Sequence, residues 1–117
     1  MLRMVASSSA WTFLSNHGHV LVALAADPRA RMRDVAGRVG ITERAVQMIV
    51  RDLEEAGYVV RERVGRRNRY TVVRRGRFRH PLEEHVRVGD FLDLVTRAGP
   101  AGAPPGPVGA GLTQQES

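Results

Sequence analysis

The chain has 117 residues, no cysteine, and a net charge of +6 whose basic side is all arginine. That length supports one small domain with tails and leaves no room for a separate catalytic or sensor domain. The lack of cysteine excludes disulfides, thiolate metal sites and cysteine nucleophiles. No apolar run approaches the roughly 18 residues of a membrane span. The opening Met1–Ser9 also lacks the apolar stretch of a secretory signal, so a cytoplasmic, nucleoid-associated protein is expected.

Residues 1–9 are small and polar and are expected to be disordered. Trp11, Phe13 and Leu14 begin the apolar signal. Ser15 or Asn16 is placed to cap a helix continuing through Val20, Leu21, Leu24 and Ala25. Asp27 ends it, because the residue before Pro28 is pushed out of the α region. Arg29–Met32 is a short connection with room for one brief strand. A second helix follows over about Arg33–Val39, with Val35, Ala36 and Val39 facing inward, and Gly40-Ile41-Thr42 is a tight turn.

Thr42 is an N-cap residue type for a third helix, Glu43–Ala56, and Gly57 is the type expected just past its end. Val46, Ile49, Val50 and Leu53 recur at helical spacing and mark a buried face. Glu43, Arg44, Gln47, Met48 and Arg51 fall mostly on the other side. This is a helix-turn-helix pattern, and its second helix is the size to enter a DNA major groove. An ordinary packed helical hairpin shares the same period, and the next segment weighs against it.

Tyr58–Val64 and Arg69–Val73 are β-type runs around the turn-forming Gly65-Arg66-Arg67-Asn68. Residues 58–80 hold nine arginines against one acid, Glu62. A basic segment on a near-neutral body is the footprint of a polyanion binder. A basic hairpin directly after a recognition-type helix is a wing, able to follow the phosphate backbone or enter a narrow minor groove. The alternative reading is an arginine-rich turn that only keeps the hairpin soluble. The expected fold is α+β, mainly α: a three-helix core and a hairpin wing over residues 10–80, with an extra C-terminal helix.

The stretches Arg33–Thr42, Val46–Val59 (with Leu53-Glu54-Glu55-Ala56-Gly57-Tyr58) and Arg63–Tyr70 resemble the winged helix-turn-helix of the MarR/ArsR-type bacterial transcriptional regulators. The likeness is to small single-domain actinobacterial members and covers about residues 11–95. It implies a dimeric, sequence-specific DNA-binding regulator. By position, Thr42, Glu43, Arg44, Gln47 and Met48 would face DNA, with wing contacts from Arg66, Arg67 and Arg69. Arg51, on the same helix face, and Asn68, in the wing turn, complete the expected DNA-binding set. The metal-binding cysteines of ArsR-type sensors are missing, and the long flanking helices of full-length MarR dimers are shortened. Metal sensing and a MarR-type ligand pocket are therefore not implied.

After the wing, Arg74–His80 is a basic connector. Pro81-Leu82-Glu83-Glu84 opens an expected helix over 81–98, since proline suits the first turn and acids favour the positive end of the helix dipole. Leu82, Val86, Phe91, Leu92 and Val95 lie on its apolar stripe, which is read either as a dimer face or as a lid on the chain's own core. Residues 99–117, rich in glycine and proline, are expected to be disordered.

His17, His19, His80 and His85 lack the spacing of metal motifs, and no nucleophile elbow or phosphate loop occurs. No cofactor, metal or catalytic activity is expected. The expected partners are double-stranded DNA and a second copy of the chain, with no membrane and no identified effector. The alternative is a winged-helix protein-interaction module with only non-specific DNA affinity.

Overall fold

Local capping chemistry sets the helix ends. The structure, a computed structural model, describes residues 11–97. The ends expected to be disordered, 1–9 and 99–117, lie outside the described residues. Helix α1 is Asn16–Ala26, and the Ser15 hydroxyl accepts the Gly18 N–H at 3.3 Å. Asp27 leaves the helix before Pro28 with φ −145°, as the proline requires. Helix α1 is the hub of the core: Val20, Leu21, Ala23 and Leu24 are buried, and it packs against α2 (Met32–Val39), α3 (Glu43–Glu55), strand β2 (Arg67–Val72) and α4 (Val88–Thr96).

The helix-turn-helix forms where it is expected. Gly40 closes α2 in the left-handed region at φ 88°, and the Thr42 hydroxyl accepts the Ala45 N–H at 3.0 Å at the start of α3. Val46, Ile49, Val50 and Leu53 are buried. Helix α3 ends in a Schellman arrangement: Tyr58 N–H reaches Leu53 O at 2.9 Å and Gly57 N–H reaches Glu54 O at 3.0 Å. Gly57 sits there at φ 84°, a conformation that a side chain would strain.

That turn aims the chain into β1 (Val59–Val64), which pairs with β2 in an antiparallel register from Val59↔Val72 to Val64↔Arg67. Gly65-Arg66 makes the two-residue tip. Val59 and Tyr70 carry the hairpin into the core. No strand forms over Arg29–Met32. A single main-chain bond, Tyr70 N–H to Pro28 O at 2.9 Å, joins that connection to the wing, and Ala30 is buried beneath it.

The expected helix from residue 81 is corrected: α4 starts at Val88, and residues 81–85 are turns. Leu82 has nothing to pack on and is 76% exposed, whereas Val88 and Leu92, four apart, are 1% and 2% exposed. Short helices take their stability from such packing rather than from local start signals. Arg87, the N-cap residue of α4, makes no side-chain cap. Instead Val88 N–H reaches Gly76 O at 2.7 Å and Gly89 N–H reaches Arg74 O at 2.8 Å. The chain just after the wing therefore supplies the acceptors that this helix start needs.

Candidate nucleic-acid interface

Burial of one face of α3 leaves the other open. Glu43, Arg44, Gln47, Met48 and Arg51 are all exposed, and Thr42 stands at the helix start with its hydroxyl engaged in the cap. Met48 is 59% exposed, an apolar side chain held clear of the core on a polar surface. Beyond Glu43 in the first turn, the acids of α3 lie in its last turns, and two of them pair with the body of the protein. Asp52 Oδ2 lies 2.8 Å from His17 Nε2, and Glu54 Oε2 lies 3.2 Å from Arg61 Nε. The open face of α3 thus presents Glu43, Arg44, Gln47, Met48 and Arg51 away from these paired acids.

The arginines of 58–80 divide by partner. Arg61 pairs with Glu54, and Arg63 Nε donates to Gly65 O at 3.1 Å. Arg74 Nη2 donates to Asp93 Oδ1 at 2.8 Å and to Gly89 O at 3.2 Å, and Arg77 Nη1 donates to His85 O at 3.3 Å. Arg67 Nη2 donates to Arg29 O at 2.7 Å. Arg66 and Arg69 project from the wing without such a partner among the described residues. Asn68 is half-buried on the Tyr70 face of β2, lines a groove beside Arg67, and donates from its Nδ2 to the Tyr70 hydroxyl at 3.4 Å.

The residues expected on a dimer face are also dispersed. Leu92 is enclosed in the core of its own chain, and Phe91 is half-buried edge-to-face on Phe78 with centroids 5.2 Å apart. Val86 is half-buried. Leu82 and Val95 remain exposed, as does the neighbouring Leu94.

Sequence reasoning missed Arg29 and Arg31. They lie 38 and 36 positions before Arg67 and look like part of a connector, yet the fold sets them beside the wing. No spacing rule links them; only an expectation that the Arg29–Met32 segment pairs with the wing could have done so.

Among the described residues no group of three His, Asp or Glu side chains converges to hold a metal ion. No helix among them is long and apolar enough to cross a membrane.

The family model of the winged helix-turn-helix DNA-binding domain matches residues 15–60, from the α1 cap to the start of β1. Among curated proteins none matches the sequence significantly. Among solved structures, the chain is similar to the PcaV transcriptional regulator from Streptomyces coelicolor, solved in complex with its natural ligand. The two share 25% identity at a TM-score of 0.48, over 75% of this chain. The matched region spans 64% of the PcaV chain. The α1–α3 arrangement and the hairpin that follows it form a winged helix-turn-helix fold, and residues 15–60 of it match the DNA-binding family model.

Proposed function

We propose that the chain is a transcriptional regulator that acts in the cytoplasm and reads duplex DNA sequence-specifically as a dimer. In this reading α3 enters the major groove and the wing lies on the backbone or in the adjoining minor groove. The observation that carries it is the open face of α3, where Glu43, Arg44, Gln47, Met48 and Arg51 stand exposed over successive turns. In helix-turn-helix proteins the first turns of the recognition helix meet the base edges. Arg44 suits guanine O6 and N7, Gln47 suits adenine N6 and N7, and Met48 suits a thymine methyl. Arg51 clamps a flanking phosphate. Arg66, Arg67 and Arg69 hold the backbone and set register without reading much sequence. The exposed Leu82, Leu94 and Val95 support the dimer, which light scattering would find near twice the 12.9 kDa chain mass.

The test is selection of bound fragments from a random duplex pool at about physiological salt, followed by sequencing. An enriched inverted repeat, its half-sites about one helical turn apart, is the expected result. Binding at low salt without enrichment would leave the wing as an electrostatic handle, since any basic patch binds polyanions. A protein-interaction role would then replace the regulator reading.

A further inference from the structure

The connection between α1 and α2 forms one wall of a groove of about 500 Å³ whose other wall is the wing. Arg29 and Arg31 line it from one side, Arg66 and Arg67 from the other, with Ala30 and Tyr70 beneath. No carboxylate lines it. The two acids nearest in sequence are turned to main-chain donors: Asp27 accepts the Arg29 N–H at 3.2 Å and Asp34 the Arg31 N–H at 3.4 Å. The walls are stapled together by Tyr70 N–H to Pro28 O at 2.9 Å and by Arg67 Nη2 to Arg29 O at 2.7 Å. A smaller cavity of about 170 Å³ continues past Arg67 to Arg69. Burial of Ala30 fixes this connection, while Arg29 and Arg31 on either side of it stay exposed.

We infer that this groove seats a phosphodiester of the duplex backbone, with Arg29 and Arg31 as phosphate-binding residues beside the wing arginines. The inference rests on the DNA-binding reading and adds to it a contact from outside the recognition helix and the wing. Forked guanidinium donors match the oxygens of a phosphate, and four of them meet here on a framework held by main-chain bonds. The open groove, continued by a second cavity toward Arg69, has the form of a track for a polyanion rather than a cup for one small ion.

The test compares the full chain with Arg29→Ala/Arg31→Ala, and with Arg38→Ala as a control at the far end of α2. Affinity for a random duplex is measured across a salt series. Each lost phosphate contact removes about one unit from the slope of log K against log salt. The double variant should therefore lose about two units, by the same factor on random and selected duplexes, and Arg38→Ala should lose none. An unchanged slope in the double variant, with duplex binding retained, overturns the groove and leaves the DNA-binding reading standing. Pyrophosphate is the probe for a free anion. If it raises the melting temperature of the wild type but not of the double variant, and the duplex slopes are equal, the groove seats a free anion and the phosphodiester assignment falls. A wild-type chain that binds no duplex overturns both readings.

Discussion

The wing and the segment that follows it draw on the same arginine-rich stretch and use it in opposite ways. In the wing tip, Arg66 and Arg69 face outward with no internal acceptor among the described residues. A few residues later, Arg74 bridges to Asp93 and Gly89 O, and Arg77 bonds His85 O. What separates the two groups is the supply of acceptors. The two strands satisfy each other's main chain, and the partners that Arg61, Arg63 and Arg67 find at Glu54, Gly65 O and Arg29 O do not extend to Arg66 and Arg69 among the described residues. The chain after the wing folds back onto α4 and meets both a carboxylate and main-chain carbonyls. A charge count over residues 58–80 therefore overstates the surface available to DNA, because part of it fastens the last helix.

The largest effect should come from Leu92→Ala. If α4 closes its own core, this truncation costs about 2–5 kcal/mol in urea unfolding. Unchanged stability with a dissolved dimer would instead make Leu92 an interface residue. Next is Gly89→Ala. A Cβ at this position meets Arg74 Cβ at 3.0 Å, close to the main chain, so the neighbour cannot simply swing away. The expected loss is about 1–3 kcal/mol; a neutral result would show that the wing foot and α4 are loosely joined. Gln47→Ala should leave stability intact and remove about 1–3 kcal/mol of discrimination at one position of a half-site, read by repeating the duplex selection. Uniform weakening on all duplexes would move Gln47 from base reading to backbone contact.

The smallest effects draw the comparison most sharply. Arg74→Ala should cost up to about 1 kcal/mol of stability, since its ion pair is largely exposed, and leave the salt slope of DNA binding unchanged. Arg69→Ala should change stability by no more than about 0.5 kcal/mol and lower the salt slope by about one unit. Equal slopes for the two variants would break the division of the arginines by internal partner.

The parts of the fold readable in the sequence were those written in local chemistry. Ser15, Thr42 and Gly57 mark helix ends because a cap involves residues only three to five apart. The buried and open faces of α3 follow from the helical period alone. The last helix was misplaced for the converse reason. Pro81-Leu82-Glu83-Glu84 carries a strong local start signal, but the start actually used is capped from Arg74 and Gly76, across the intervening loop. Arg29 and Arg31 were passed over for the same cause, since their neighbours at the wing come from a distant part of the chain.

The main-chain capping of α4 carries a consequence for how the molecule opens. Nine residues are too few to hold a helix alone in water, so α4 forms only against an assembled wing foot. We expect it to lift locally, ahead of global unfolding. The amide hydrogens of Val88 and Gly89, each held by a carbonyl from before the loop, exchange with solvent at the rate of that lifting rather than of global unfolding. Each lifting event bares Val88 and Leu92, so deuterium uptake at those two amides measures how often the chain exposes its core while the helix-turn-helix stays folded.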